Sequence, residues 1–287
     1  MTTSYGFIGV GKVGSAFGMR LAERGYQVVA CRDIKPEEAA RFASAVSGCH
    51  IMPTPQSLAD ECEFVFITTP DDIIAEVAAA VRWRSHQTVV HCSGANTVDV
   101  LEAVKHAGGG VGVIHPLNTF ASLAQSLENL VGGHFTLEAE EPVLSTLKKM
   151  ATDLEGDYAT LPAAAKPLYH AAGAFSCNYL YTLVDIATRL WQHFGIDQAE
   201  ATEACLPILS GTLKNIEHVG FPGCLTGPIA RGDIGTIEKH LMALETHEPS
   251  IVPLYKALGR ATIPIALAKG TLSEDRAEAL NGLLAAE

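Results

Sequence analysis

The fold is decided by residues 5–14, which read YGFIGVGKVG. Tyr5–Ile8 is an apolar run typical of a buried strand, and the amphipathic stretch that continues to Glu23 is typical of a helix. Glycines at positions 9, 11 and 14 therefore occupy the turn between a strand and a helix. A glycine turn in this context predicts the first strand, loop and helix of a parallel α/β sheet.

Each glycine of this turn has its own physical task. Gly9 permits the tight turn, Gly11 lets a pyrophosphate approach the backbone, and Gly14 lets the helix pack closely on the strand. Backbone amides at the helix N-terminus then face the phosphates. We predict a dinucleotide-binding loop, with a glycine turn that binds no ligand as the alternative. The loop consists of Gly9, Val10, Gly11, Lys12, Val13 and Gly14.

The residue that follows the second strand selects the cofactor. Arg32 comes directly after the apolar run Gln27–Cys31, and Asp33 is next. An acid here binds the ribose hydroxyls of NAD, whereas an arginine accommodates the extra phosphate of NADP. We predict NADP(H), with Arg32 as the phosphate ligand. The competing interpretation makes Asp33 the ribose ligand and NAD the cofactor.

Strand and helix signals alternate through the first half of the chain. Unalternating apolar strands joined by helices indicate a parallel sheet that is buried on both faces. A loop is predicted from His115 to about Gly133, and after Pro162 no strand is evident and long helical stretches dominate. The predicted fold is an α/β Rossmann domain with a mostly parallel sheet over residues 1–162, followed by an all-α domain over residues 163–287. Its strands are Tyr5–Ile8, Gln27–Cys31, Phe64–Thr68, Thr88–Cys92, Gly110–Ile114, Phe135–Glu138 and Tyr158–Leu161.

Composition excludes several classes of function. The net charge is −12 with only 20 Lys and Arg residues, which disfavours a nucleic-acid or membrane partner. No apolar run approaches the roughly 20 residues that a membrane span needs. The seven cysteines are scattered and the eleven histidines lack the spacing of metal ligands, so we predict reduced thiols and no metal site. A cytoplasmic protein without a signal peptide is expected.

Two turns of the predicted sheet lie where ligands bind in open α/β folds, beyond the carboxyl ends of the strands. Thr68, Thr69 and Pro70 follow one apolar strand, and Ser93 and Gly94 follow another. We predict that the first three residues and Ser93 border the cofactor, and that Ser93 and Gly94 border the substrate. Simple turn chemistry is the alternative for each.

A hydride acceptor such as a carbonyl also needs a proton, which lysine or histidine commonly supplies. Lys166 and His170 are four residues apart at the start of a long predicted helix, and Asn178 lies eight residues further, roughly on the same side. His115 ends the last parallel strand at the ligand edge. For these residues the alternative is a buried polar set or a satisfied structural histidine.

The polar segment 225–233, LTGPIARGD, separates two predicted helices. Arg231 is suited to a bidentate clamp on a substrate carboxylate, with Thr226 as a further donor. The alternative is that Arg231 and Asp233 form a pair that caps the next helix.

The motifs TTPDD at 68–72, HCSG at 91–94, HPLNTF at 115–120, YHAA at 169–172 and LTGPIARGD at 225–233 resemble a bacterial family. This family joins a Rossmann-like domain to a C-terminal DUF2520 domain and is often labelled NADP (coenzyme F420-dependent) oxidoreductase. The resemblance implies kinship with 6-phosphogluconate dehydrogenase and ketopantoate reductase, whose helical domain often mediates dimer formation. Some members act as alternative ketopantoate reductases, which reduce 2-oxopantoate with NADPH.

The transfer of catalytic roles is incomplete. Ketopantoate and 3-hydroxyacid reductases place a lysine at the start of a central helix with an asparagine four residues later. Lys166 matches the lysine, but His170 occupies the second position, so either residue is a candidate for the acid. We expect a homodimer that reduces a small 2-oxo acid. The alternatives are a prephenate-type dehydrogenase, suggested by His115-Pro116, an F420-linked oxidoreductase, and a non-catalytic NADP(H) sensor.

Overall fold

The computed structural model describes residues 3–285, and one sheet of eight strands organises the first part of this range. The strand order is β3-β2-β1-β4-β5-β6-β7-β8. Strands β1 to β6 are parallel, β7 runs antiparallel to β6, and β8 is parallel to β7. The strands are β1 Ser4–Ile8, β2 Gln27–Arg32, β3 His50–Ile51, β4 Phe64–Ile67, β5 Thr88–His91, β6 Gly110–Pro116, β7 His134–Ala139 and β8 Asp157–Thr160.

The first six strands have the order of a Rossmann sheet, which confirms the predicted mostly parallel fold. The order reverses between β1 and β4, so the crevice for a ligand opens at the loops that follow these two strands. The helices around the sheet are α1 Lys12–Glu23, α2 Pro36–Ala45, α3 Pro55–Glu61, α4 Ile74–Ala80, α5 Glu102–His106, α6 Leu123–Leu130, α7 Val143–Asp153 and α8 Lys166–Gly173.

Strand β4 shows why the parallel strands are apolar without alternation. Phe64 and Phe66 belong to the hydrophobic core on one face of the sheet, whereas Val65 and Ile67 belong to the core on the other face. All four side chains are buried. The ring of Phe66 stacks on that of Phe7 in β1, with 4.6 Å between the ring centroids. The predicted burial on both faces therefore holds in the centre of the sheet.

Two predicted segments differ from the structure. Residues 123–130 form α6, although a loop was predicted there, because Ser122 caps the helix and Ser126 and Leu130 are buried. The predicted long helix that begins at Pro167 is interrupted, since Ala174–Asn178 form a π-helical turn between α8 and the next helix. A π turn inserts an extra residue and changes which side chains share a face.

The chain divides into two compact units, the first ending at Asn178 and the second starting at Tyr179. Helix α8, placed by the sequence in the helical domain, thus belongs to the unit that holds the sheet. The second unit contains α9 Tyr179–Gln192, α10 Gln198–Val219, α11 Ile234–His247, α12 Val252–Lys269 and α13 Glu274–Leu283. Its core joins residues of α11, α12 and α13, among them Ile237, Leu241, Ile263, Ala266 and Leu280.

One helical stretch in the described residues, Pro249–Lys269, is long and apolar enough to cross a membrane by length and composition alone, which the sequence did not lead us to expect. The core helix of a globular domain meets the same criterion. Ile263 and Ala266 of this stretch are buried in the core of the second unit. One face of the stretch therefore packs in that core, and 22% of its apolar window is buried.

Candidate active site

The glycine loop after β1 has the geometry that its sequence predicts. Gly9 has a φ of +89°, and a Cβ there would lie 2.9 Å from the backbone of Thr68 and Thr69. A Cβ on Gly14 would overlap Gly9 O and Thr68 Oγ1. A Cβ on Gly11, in contrast, would meet open space. The loop is thus tightly packed on the protein side and open at the one glycine expected to face a pyrophosphate.

No side chain caps the N-terminus of α1, whose N-cap residue is Gly11. Lys12 is exposed and Val13 is partly buried in the first turn, where the sequence has no acidic residue. The first amides of a helix lack intrahelical acceptors and attract anions. This end of α1 is therefore suited to bind phosphate.

The contacts of Arg32 and Asp33 distinguish the NADP hypothesis from the NAD hypothesis. Asp33 Oδ2 accepts a hydrogen bond of 2.7 Å from Val10 N, and Asp33 Oδ1 accepts one of 2.9 Å from Lys35 N. This carboxylate therefore joins two loops. Arg32 Nε is buried without a hydrogen-bond partner among the described residues. A buried donor without an acceptor is costly, so the site fits an anion beside Arg32 better than ribose hydroxyls on Asp33.

A second buried polar atom without a hydrogen-bond partner in residues 3–285 is Thr69 Oγ1, directly after β4. Thr68 has a different task, because its hydroxyl donates to Gly9 O and holds the glycine loop against β4. Pro70 is exposed at the start of the following turn. Of this predicted trio, Thr69 is the residue whose side chain remains available for a ligand.

The loop after β5 is organised by His91, which is fully buried. His91 Nδ1 accepts from Ser93 N at 3.1 Å, and Nε2 lies 3.0 Å from Thr97 O. Burial lowers the pKa of His91 to about 4, so the ring is neutral at pH 7 with the proton on Nε2. His91 is thus a structural residue.

Ser93 is also committed to this loop. Its hydroxyl donates to Asp71 Oδ2 at 2.7 Å and accepts from Ala95 N at 3.2 Å and Asn96 N at 3.0 Å. The side chain predicted to touch cofactor and substrate therefore fixes the shape of the turn. Gly94 is the residue of this turn that faces His115 and His170.

Lys166 is buried, with only 2% of its surface exposed. Its ammonium donates to Asn96 O at 2.5 Å and lies 3.2 Å from Glu138 Oε2 of β7. Glu138 Oε1 in turn accepts from Val98 N at 3.2 Å. Burial lowers the pKa of Lys166, and the charge of Glu138 opposes this shift. These contacts connect α8, β7 and the loop after β5.

Two imidazoles meet above Gly94. A Cβ on Gly94 would lie 2.7 Å from His115 Nε2 and 3.0 Å from His170 Nδ1. Because position 94 carries no side chain, both nitrogens can approach this turn closely. On its other side, His115 Nδ1 lies 2.7 Å from the hydroxyl of Tyr169, and the two rings pack edge to face.

The charge state of His115 follows from its surroundings. Burial is the main cause that lowers its pKa to about 4, and the charges of Lys166 and His170 act in the same direction. His115 is therefore neutral at pH 7. His170 is exposed on α8 and in reach of solvent protons.

No hydrogen bond connects Asn178 with this group among the described residues, and it is exposed at the end of the π turn. The prediction that it lies roughly on the side of Lys166 and His170 assumed an uninterrupted α-helix, whereas a π turn separates these residues. The role of Asn178 stays a prediction.

The loop 225–233 of the second unit is held at both ends. Lys269 Nζ donates to Leu225 O at 2.6 Å, and Arg276 Nη1 donates to Gly232 O at 2.9 Å. Asp233 caps α11 by accepting from Thr236 N. The alternative for this segment was a pair of Arg231 and Asp233 that caps the next helix, and Asp233 does cap it.

The two residues predicted to bind substrate remain available within this loop. Thr226 and Arg231 are both exposed. The Arg231 side chain makes no hydrogen bond or ion pair within residues 3–285, although its charge helps to lower the pKa of Asp233 after the larger effect of the Thr236 hydrogen bonds. The loop thus presents a fixed cationic side chain.

A Rossmann sheet with an open glycine loop and an unpaired arginine at the end of β2 has the fold of the NADP-binding oxidoreductases. A Rossmann-like domain model matches residues 2–116, and the model described as "Domain of unknown function (DUF2520)" matches residues 133–262. The chain belongs to the family that joins these two domains, as the sequence motifs predicted.

Solved structures of low sequence identity share the whole fold. A Bacteroides fragilis protein assigned as an NADP oxidoreductase is 21% identical, with a TM-score of 0.75 over 92% of this chain and 98% of that one. A Thermotoga maritima protein is 25% identical, with a TM-score of 0.73 over 93% and 99%. The 1-pyrroline-5-carboxylate reductase of Streptococcus pyogenes is 16% identical, with a TM-score of 0.62 over 94% and 98%. No protein of curated function matches the sequence.

Sequence reasoning missed two residues that shape the site. Tyr169 directly precedes His170, and only the fold shows that its hydroxyl reaches His115. Glu138 stands in an apolar strand, where a glutamate is buried only when it is paired. Such a glutamate is a sequence signal for a buried ion pair, but its partner, 28 residues away in Lys166, is not predictable from spacing.

Proposed function

We propose that this protein is an NADP(H)-dependent oxidoreductase that reduces a small 2-oxo acid. The observation that carries the proposal is a combination within the first unit. The unpaired Arg32 Nε lies at the end of β2, and the imidazoles of His115 and His170 converge on Gly94 after β5. Parallel strands end at the same edge of a sheet, so both features belong to one ligand-binding edge.

The residues that would hold NADP(H) are the open glycine loop, Arg32 and Thr69. The amides at the N-terminus of α1 would bind the pyrophosphate, and Arg32 would bind the additional phosphate. When bound, the reduced nicotinamide supplies a hydride. Asp33 supports this arrangement indirectly, because it ties the glycine loop to the loop that carries Lys35.

His115 and His170 would provide the acid side of the reaction. A neutral imidazole can polarise a carbonyl by donating its N–H to the oxygen, and the effect is strongest in a site that excludes water. His170, which is exposed, would deliver the proton and be reprotonated from solvent. Lys166 would position the loop after β5 through Asn96 O, and its contacts support this role over that of the acid.

The substrate is proposed from charge and resemblance. Arg231 and Thr226 are suited to bind a carboxylate, since both are exposed on a loop of the second unit that is fixed at its ends. The charge of Lys166, which acts on His115, favours a reaction in which negative charge develops on oxygen. The first candidate is 2-oxopantoate, which some members of this family reduce.

The test is a pair of titrations followed by turnover. We expect NADPH to bind more tightly than NADH, and addition of 2-oxopantoate or another small 2-oxo acid to oxidise bound NADPH. Oxidation of prephenate with NADP, or reduction of a cyclic imine alone, would replace the proposed reaction. Tight NADPH binding without turnover of any such compound would favour the sensor, and a failure to bind either nucleotide would refute the proposal.

We also propose that the protein is a cytoplasmic homodimer. All seven cysteines are free thiols, which suits a reducing compartment. Helices α9 and α10 expose large apolar side chains, including Tyr181 at 61%, Ile208 at 71% and Leu213 at 59%. Exposed apolar patches of this kind mark interaction surfaces. Light scattering should give twice the chain mass, and an Ile208→Asp/Leu213→Asp variant should give the mass of one chain.

A further inference from the structure

We infer that Tyr169 is a positioning residue that fixes His115 as the Nε2–H tautomer, so that the site presents a hydrogen-bond donor to a substrate oxygen. The effect on a substrate rests on the proposed function, whereas the assignment of the His115 tautomer does not. The contact that carries it is the 2.7 Å separation between Tyr169 Oη and His115 Nδ1.

The direction of this hydrogen bond follows from elementary chemistry. A neutral imidazole has one N–H and one lone pair, so the partner of one nitrogen determines the state of the other. An imidazole nitrogen is a much stronger acceptor than a phenol oxygen, and a phenol O–H is a good donor. Burial raises the pKa of Tyr169, which keeps its proton on the oxygen. Tyr169 therefore donates to Nδ1, and the imidazole proton resides on Nε2.

The proton on Nε2 has no acceptor among residues 3–285, since no hydrogen bond of this nitrogen occurs there and His115 is only partly buried. Nε2 lies against Gly94, where a Cβ would be only 2.7 Å away. The groups whose charges act on His115 are Lys166, His170, Asp71 and His91, of which only Asp71 is acidic. Asp71 is already bonded to Ser93 Oγ.

This arrangement selects a class of substrate. A carbonyl oxygen accepts a hydrogen bond from Nε2–H and gains negative charge during reduction. An iminium N–H is a donor with positive charge, and it would meet the Nε2–H donor instead of an acceptor. Tyr169 thus favours C=O over C=N, even though a 1-pyrroline-5-carboxylate reductase shares the fold.

The tautomer is measurable without any substrate. Nitrogen-15 NMR of the wild-type protein at pH 7 should show His115 with a protonated Nε2 and an unprotonated Nδ1, assigned by the signal lost in His115→Gln. In Tyr169→Phe the two nitrogen shifts should move towards each other, because the tautomers then interconvert. A wild-type His115 protonated on Nδ1, or a spectrum that Tyr169→Phe leaves unchanged, would overturn the inference.

Kinetics supply the second readout. With the preferred oxo acid, Tyr169→Phe should lower kcat by about tenfold, the value of one hydrogen bond, with an unchanged Kd for NADPH. The ratio of oxo-acid to cyclic-imine turnover should fall by a similar factor. The matched control is Tyr158→Phe, which alters an exposed tyrosine of β8 and should change neither quantity. An unchanged ratio in an active Tyr169→Phe variant would refute the selective role.

The two proposals fail in different ways. If no oxo acid is reduced but the wild-type NMR shows the Nε2–H tautomer, the positioning role stands and the proposed substrate is wrong. If an oxo acid is reduced and the tautomer is Nδ1–H, the proposed function stands and the role of Tyr169 is wrong.

Discussion

The glycine loop and the pocket above Gly94 are built in opposite ways. The glycine loop lies within six consecutive residues, and Asp33, 23 residues from Val10, secures it. The pocket takes Gly94, His115 and His170 from three separate segments, with Tyr169 behind His115. The first is a local motif whose backbone determines its task. The second depends on side chains that only the folded sheet brings together.

The largest expected effect tests whether the two imidazoles tolerate a side chain at position 94. Gly94→Ala places a Cβ against His115 Nε2 and His170 Nδ1 and should lower kcat by about 100-fold or more, the usual contribution of an acid catalyst. The glycine loop is not affected, so the Kd of NADPH should stay within about twofold. Gly282→Ala is the control, because a Cβ there meets nothing within 4 Å. A Gly94→Ala enzyme with normal turnover would place the chemistry elsewhere.

The next effect separates positioning from catalysis at Lys166. Lys166→Met leaves Glu138 buried and unpaired, which should cost about 3–5 kcal/mol of unfolding free energy. The double variant Lys166→Met/Glu138→Gln removes both charges and should recover most of this loss. Urea unfolding measures each value.

Turnover of the double variant decides the role of Lys166. If Lys166 positions the loop after β5, kcat should remain within about tenfold of wild type, whereas loss of the acid costs about 100-fold or more. A stable double variant with the larger loss would make Lys166 the acid.

The pH dependence of the unfolding free energy reports the protonation of His91, which is buried, and of His115, which is partly buried. The pKa values of His91 and His115 are about 4 in the folded state, below the ordinary 6.5. Between these values the unfolded chain binds more protons, so stability falls as the pH drops from 6.5 to 4, by up to about 3 kcal/mol for each histidine. His91→Gln should remove roughly half of this dependence. The exposed His134, changed to Gln, should leave it intact, and equal slopes in all three proteins would contradict the assignment.

The smallest expected effect concerns nucleotide binding at the glycine loop and Arg32. Arg32→Ala should weaken NADPH binding by about 10- to 100-fold, as expected for charge-assisted hydrogen bonds, and leave NADH binding unchanged. Fluorescence titration of both nucleotides measures this difference. Arg82→Ala, at an exposed position outside the loop, is the control. Equal losses for both nucleotides would mean that Arg32 does not discriminate between them.

The predictability of each region follows from its construction. The Rossmann order, the glycine roles and the unpaired Arg32 were accessible because each depends on neighbours in the chain or on the carboxyl ends of parallel strands. Helix α6 was missed because its support comes from buried contacts of Ser126 and Leu130. The π turn at 174–178 was missed because a periodicity argument assumes an uninterrupted α-helix, and the role of Asn178 at its end stays a prediction.

The sequence by itself determined the parallel sheet, the dinucleotide loop and the candidates for proton transfer, because periodicity and glycine stereochemistry act over short distances. Only the tertiary structure decided which candidates meet. It paired Lys166 with Glu138 and Asn96, and it brought His115, His170 and Tyr169 around Gly94. The physical reason is that a side chain's hydrogen bonds and burial depend on neighbours distant in sequence. Those neighbours determine whether a lysine or a histidine is free to move a proton.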